Sequence, residues 1–269
     1  MTGALTIPEG NEALWHEVFA VGHPVLAGKH RRFGLLPGSP RCRLCHAPMG
    51  GIGGMVMRVR GLRASNRNPN YCNVCDGFLE AFPGGAEVPM SMMMVDIRNS
   101  VALSAEITPT AYARLVAAMR EDVLTILEET DGFVLEFQGD CVFGVWPPGF
   151  VGPSHAAKAI EAAGLATQIF SRRDSSSYVG IGVHTGPIYV GTLSAPGGRF
   201  FGIGAFGLNV NILARLTHAA AAGEALVSTA TFETAGVPLP ADRVRQESLK
   251  GIDVPVSAVS LRRPELAAP

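Results

Sequence analysis

The run from Val88 to Val95 is almost continuously apolar and stops at a single carboxylate, Asp96. It is far shorter than the roughly 18–20 residues that span a bilayer. A strand covered on both faces has this character. Beyond Asp96 the chain alternates between helix and strand signals. Thr108 can cap a helix that runs to Glu129, with Pro109 in its first turn and a break at Asp131-Gly132. Phe133–Phe137 and Cys141–Trp146 read as a hairpin closed by Gln138-Gly139-Asp140. Ser154 caps a second long helix that reaches about Phe170. Tyr178–His184 and Ile188–Gly191 read as two strands on either side of Thr185-Gly186-Pro187. Leu208–Ala219 is a helix, and Glu224–Val227, Arg243–Ser248 and Val256–Ser260 are late strands. Hairpins mixed with helices imply an α+β fold, with helices against a mostly antiparallel sheet.

The first third differs. Asn11–Val21 places Leu14, Trp15, Val18 and Phe19 on one helical side, and Pro24 is expected to end that helix. Residues 36–80 are rich in Gly and Pro, lack periodicity and contain four cysteines. So small a segment needs a staple to fold. Cys42/Cys45 and Cys72/Cys75 each have two intervening residues, the spacing with which two turns offer four thiolates to one zinc ion. An iron–sulfur cluster is the alternative, and two reduced buried pairs without metal are the bland reading. His46 is a weak substitute ligand, and Cys141 stands apart as a small core residue. Gly84-Gly85-Ala86-Glu87 is a plausible hinge, so we read a cysteine module over 1–83 and a larger domain over 84–269.

Five cysteines, four of them in tight pairs, point to a reducing compartment. A formal charge of −1 argues against a general nucleic-acid binder, although Lys29–Arg32 and the arginines after Met57 are local basic clusters. The amino terminus has no signal-peptide pattern and no apolar stretch is long enough to cross a membrane, so a cytoplasmic protein is expected.

The larger domain carries chemistry-bearing groups in order. Asp96 ends a strand and Asp140 tops a hairpin; neighbouring strands would bring the two carboxylates together as hard ligands for two magnesium or manganese ions, with the Ile97 carbonyl as a further donor. Asn211 and Arg215, four apart, share a helix face. Lys250 lies in a late turn. Carboxylates, amide, guanidinium and ammonium together are what closing a nucleoside triphosphate into a ring requires. Each group taken alone has an ordinary reading as a cap or a solvated side chain, and His184 reads as a packed core histidine.

The segments MMMVDIRNSVALS, QGDCVFGVW, GIGVHTGPIYVGTL, GLNVNILARL and LKGIDVPV, in that order between about Val88 and Leu261, resemble the catalytic domain of class III adenylate and guanylate cyclases. The resemblance implies a ferredoxin-like cyclase fold and a homodimer with composite sites. It assigns metal binding to Asp96 and Asp140, and action on the same substrate to Lys250 and to Asn211 and Arg215 of the opposite subunit. The cysteine stretch looks like an N-terminal extension of some bacterial members. At the two base-reading positions, Glu136 matches the guanine-type residue and Gly204 offers no side chain. Arg98-Asn99-Ser100-Val101 replaces a Gly-x-Thr type turn, and Leu208 replaces a usual acidic residue. The base is thus open: GTP is favoured among purines, and UTP or CTP, as in pyrimidine cyclases of anti-phage signalling, is the alternative. A catalytically silent cyclase-fold dimer and a metal- or redox-sensing switch are further readings.

Overall fold

A computed structural model describes residues 10–172, 179–193 and 202–262. In chain order, α1 (Glu12–His16) passes into a π turn over Glu17–Val21, followed by α2 (Pro24–Gly34), α3 (Gly51–Val59) and α4 (Asn73–Ala81). Then come β1 (Gly85–Ile97), α5 (Ser100–Glu106), α6 (Pro109–Glu129), β2 (Phe133–Gln138) and β3 (Cys141–Trp146). They are followed by α7 (Pro148–Val151), α8 (His155–Arg172), β4 (Val179–Leu193), β5 (Gly202–Phe206) and α9 (Leu208–Ala219). Last among the described residues come β6 (Glu224–Ser228), α10 (Thr229–Ala235), β7 (Val244–Glu247) and β8 (Val256–Leu261).

Among the described residues, eight strands form one sheet in the order β2-β3-β1-β4-β6-β8-β7, with β5 paired to β4. The pair β4–β6 is parallel; β1–β3, β2–β3, β4–β5, β6–β8 and β7–β8 are antiparallel. This is the mixed α+β architecture with a mostly antiparallel sheet that the sequence pattern implies. By contact density the chain divides into two compact units, one of residues 1–88, 148–152 and 188–206, the other of residues 89–147, 153–187 and 207–269.

The second unit holds the larger core. Met92, Met93, Val95, Phe143, Trp146, Phe170 and Val183 are fully buried, and α6 and α8 pack on the sheet. Gly144 allows the close approach of α6, since a Cβ there would meet Leu127 Cδ2 at 2.6 Å. Thr108 caps α6 as its position suggests, accepting a hydrogen bond from the Ala111 amide at 3.2 Å.

In the first unit, Trp15 stacks on Phe19 with centroids 5.4 Å apart and donates from Nε1 to the Phe82 carbonyl at 3.0 Å. Here the structure corrects three sequence readings. Pro24 starts α2 instead of only ending its predecessor, because a proline at the first helical position loses no hydrogen bond. The cysteine stretch contains two helices, α3 and α4. The inward side of α3 is Gly53, Gly54 and Met57, so its buried face gives little apolar periodicity. Finally, β5 is a strand where none was expected, since its two glycines weaken the pattern.

A fourth correction concerns β4, which is one continuous strand where two were expected. Gly186 leaves room for the Asn209 side chain, whose Nδ2 donates to the Pro187 carbonyl at 2.7 Å, so Thr185-Gly186-Pro187 stays extended. Tyr178, read as the first residue of this strand, lies outside the described residues.

Candidate active site and four-cysteine centre

Asp96 is the penultimate residue of β1, and its Cα partner across the β1–β3 pairing is Cys141, the residue next after Asp140. The antiparallel register therefore sets the two aspartates side by side at one end of these strands. Gly139, at φ +60°, makes the tight turn that delivers Asp140. Burial raises the Asp96 carboxyl above its ordinary range; Arg98 opposes this and the charge of Asp140 reinforces it. The Cys141 thiol is pushed up to about 12 by burial and by both carboxylates.

Two side chains whose roles sequence reasoning missed hold this pair. The Tyr112 hydroxyl, in the first turn of α6, donates to Asp140 Oδ2 at 2.7 Å. Arg98 bonds Asp96 Oδ2 and donates from Nη1 to the His218 carbonyl at 3.0 Å. Gly180 makes room for this guanidinium, since a Cβ there would lie 2.8 Å from Arg98 Nε. Nothing local in the sequence links Tyr112 to Asp140, which lies 28 positions away on another element. The turn after Arg98 is also legible only in three dimensions. Asn99 adopts φ 54°, ψ 32°, the left-handed conformation that a glycine usually supplies and asparagine tolerates.

The remaining candidates stand apart from the aspartates in their contacts. Leu213, Leu216 and Thr217 form the buried side of α9, while Asn211 and Arg215 are exposed. Lys250 is exposed in a turn completed by Gly251 at φ +80° and anchored by buried Leu249 against Leu216 and Leu226. Among the described residues, no hydrogen bond or ion pair joins Asn211, Arg215 or Lys250 to either aspartate. Glu136 lies on β2, just past a bulge, and accepts from Gln138 Nε2 at 2.6 Å. Gly204 is buried in β5, opposite Gly191 of β4. Ile97 closes β1, its side chain buried.

His184 is buried, as read, and both of its ring nitrogens are bonded. Nδ1 lies 2.8 Å from Ser228 Oγ and Nε2 lies 2.9 Å from Asn209 Oδ1. Since the Asn209 amide nitrogen already donates to Pro187, its oxygen accepts; Nε2 therefore carries the proton and Nδ1 accepts from Ser228. Burial lowers the His184 pKa, which keeps the ring neutral. The histidine thereby ties β4 and β6 to the first turn of α9, the helix of Asn211 and Arg215.

In the first unit, the ligand atoms of Cys42, Cys45, Cys72 and Cys75 all lie within 4.8 Å of one another, and all four residues are buried. The Cys72 amide donates to Cys42 Sγ at 3.2 Å and the Cys75 amide to Cys72 Sγ at 3.5 Å, so backbone dipoles already face the sulfurs. Hydrogen bonds from Cys42, Cys45 and Cys75 push the Cys72 thiol well below the usual range. Asp76, buried beside Cys75, accepts from Ser65 Oγ at 2.6 Å and from Arg67 Nε at 3.1 Å, which braces the second cysteine turn. His46 lies outside the sulfur group and stacks on His30 at 4.7 Å.

The fold and its paired carboxylates define a cyclase-type catalytic domain. The family description of the adenylate and guanylate cyclase catalytic domain matches residues 86–254, and the chain belongs to that family. Among solved structures it is similar to the guanylyl cyclase Cya2, at 21% identity and TM-score 0.56, over 66% of this chain and 93% of that one. The adenylyl cyclase CyaB from P. aeruginosa is 24% identical at TM-score 0.50, over 66% and 97%. The guanylate cyclase domain of RhGC from Catenaria anguillulae, solved in complex with GTP, is 19% identical at TM-score 0.53, over 65% and 96%. No curated protein matches this chain in sequence. No helix among the described residues is long and apolar enough to cross a membrane.

Proposed function

We propose that this chain is a nucleotide cyclase, converting a nucleoside triphosphate into its 3′,5′-cyclic nucleotide and pyrophosphate. The observation that carries the reading, within a chain of this family, is the juxtaposition of Asp96 and Asp140 by the β1–β3 register. Two carboxylates and the Ile97 carbonyl are hard oxygen donors, which fits magnesium or manganese. Two such ions supply Lewis-acid stabilisation to the 3′-oxygen and the triphosphate when bound.

The chain's own groups do the rest. Tyr112 fixes the Asp140 carboxylate and Arg98 tempers the charge of Asp96. Arg215 stabilises charge developing at phosphorus, Asn211 orients the ribose, and Lys250 holds the outgoing pyrophosphate. The exposure of Asn211 and Arg215 and their lack of contact with the aspartates support their serving the site of a second copy in a homodimer. Glu136 can accept two hydrogen bonds from guanine, whereas Gly204 discriminates nothing, so GTP leads and a pyrimidine triphosphate is the second reading. A nucleotide substrate and five free thiols suit the cytoplasm.

For the four cysteines we favour one zinc ion. Tetrahedral Zn–S bonds of about 2.3 Å place sulfurs about 3.8 Å apart. Cys45 and Cys72 sulfurs are 3.7 Å apart, and the whole set is tighter than a multi-iron cluster needs. We read this module as a structural or regulatory attachment to the catalytic domain.

The test is incubation of the purified chain with manganese and each of the four nucleoside triphosphates, with products identified by mass spectrometry. A single cyclic nucleotide, absent in Asp140→Asn, establishes the enzyme and its base. No product from a folded dimer would leave the catalytically silent cyclase-fold dimer.

A further inference from the structure

Helix α3 has two apolar faces. One packs inward: Gly53 lies so close to Pro37 that a Cβ there would sit 2.1 Å from its carbonyl oxygen, and Met57 is buried. The other, Ile52, Met55, Val56 and Val59, has the i, i+3, i+4, i+7 spacing of one helical side and faces solvent. Ile52 is 74%, Met55 62% and Val59 90% exposed. The buried residues of α3 are Gly53, Gly54 and Met57, so the outward stripe contributes no buried side chain to the fold.

The charge around the stripe is one-sided. Residues 18–75 contain nine of the chain's 22 Lys+Arg and none of its 23 Asp+Glu. At about 100° per residue, Arg58 and Arg60 fall on opposite flanks of the stripe. Both are exposed, as is Arg63 just beyond the helix, and none of the three has a carboxylate partner among the described residues. On α2, Arg31 and Arg32 are likewise exposed without such a partner. By contrast, Arg67 is already committed to Asp76 and Glu80.

We propose that this face of the cysteine module docks peripherally on an anionic phospholipid bilayer. Ile52, Met55 and Val59 enter the headgroup–acyl boundary, and Arg58 and Arg60 lie at the level of the phosphates. Cationic side chains flanking a short apolar stripe are what an interfacial helix presents to such a surface. Charge complementarity selects this occupant. A second copy would bring two cationic faces together, and a nucleic acid would find no aromatic side chain in the stripe to stack on and would leave the aliphatic residues uncovered.

The experiment is co-sedimentation of the purified full chain with phosphatidylcholine vesicles, with and without phosphatidylglycerol, at low and raised salt. Binding should require phosphatidylglycerol and weaken with salt. Both Arg58→Gln/Arg60→Gln and Ile52→Ser/Val59→Ser should reduce partitioning by roughly tenfold or more. All four positions are exposed, so unchanged circular dichroism and metal content are expected; should a double variant fail to fold, Val59→Gln alone keeps the test. Equal partitioning onto both vesicle types overturns the proposal. So does arginine dependence without any effect of the Ile52/Val59 change, which marks plain electrostatic adsorption. A change in oligomeric state on Ile52→Ser/Val59→Ser, with no vesicle binding by the unmutated chain, reassigns the stripe to contact between copies.

Discussion

The Tyr112 hydroxyl donates a 2.7 Å hydrogen bond to Asp140 Oδ2, tying the first turn of α6 to the hairpin that carries the second carboxylate. Groups that orient a metal-binding carboxylate typically change metal affinity by about 10–100-fold when removed. Tyr112→Phe should therefore raise the manganese concentration for half-maximal turnover by about tenfold. Turnover at saturating manganese should change much less, because the carboxylate itself remains. A metal titration of initial rates reads both quantities, and an unchanged manganese requirement would assign Tyr112 to packing alone.

Asp96→Asn and Asp140→Asn should each abolish cyclic nucleotide formation while leaving the fold intact. An amide keeps the shape and the hydrogen-bonding oxygen but removes the charge that a divalent cation needs. Neither side chain belongs to the hydrophobic core, so melting temperature should change little. Measuring product by mass spectrometry beside a thermal melt separates lost chemistry from lost structure.

The pH dependence should carry the mark of Asp96. Burial raises its pKa, and only the ionised form is a metal ligand. As pH falls through the raised value, the ligand is lost earlier than an ordinary aspartate would be, so the acid limb of the metal-dependent rate shifts upward. Arg98 pulls the other way, and Arg98→Met should move the acid limb to still higher pH. Rate–pH profiles of both proteins at subsaturating manganese check the direction.

One zinc ion per chain is expected at the four cysteines. Cys72→Ser should lower the stoichiometry sharply, since it removes one of the four ligands, and should destabilise residues 36–80, which have little apolar core of their own. Elemental analysis together with limited proteolysis is the check. Iron in the purified protein would favour an iron site instead.

His184→Leu should destabilise the second unit. It leaves Asn209 Oδ1 without its buried partner, at a cost of about 1–3 kcal/mol, while Ser228 Oγ keeps Thr231 Oγ1 at 3.0 Å. A drop of several degrees in melting temperature is expected, accompanied by lower turnover because α9 carries Asn211 and Arg215. Thermal melts and rates measured on the same preparations would show whether the two losses travel together.

Local pattern determined a good deal of this molecule. The apolar run into Asp96, the Thr108-Pro109 start of α6, the Gly139-Asp140 turn and the paired cysteines each carry their signal within a few residues. Propensity, capping and turn chemistry act over that range. The order of the five family segments added the cyclase-type α+β fold. Tertiary structure alone decided the rest. It set Asp96 across from Cys141, brought Tyr112 to Asp140 and Arg98 to the His218 carbonyl, and made both nitrogens of a buried histidine into a brace for α9. It also turned a glycine-rich stretch into a helix with an exposed apolar face. These relationships join residues far apart in the chain, and they depend on strand register and on how closely backbones approach. Both are settled by the packing of the whole sheet, which no short window of sequence contains.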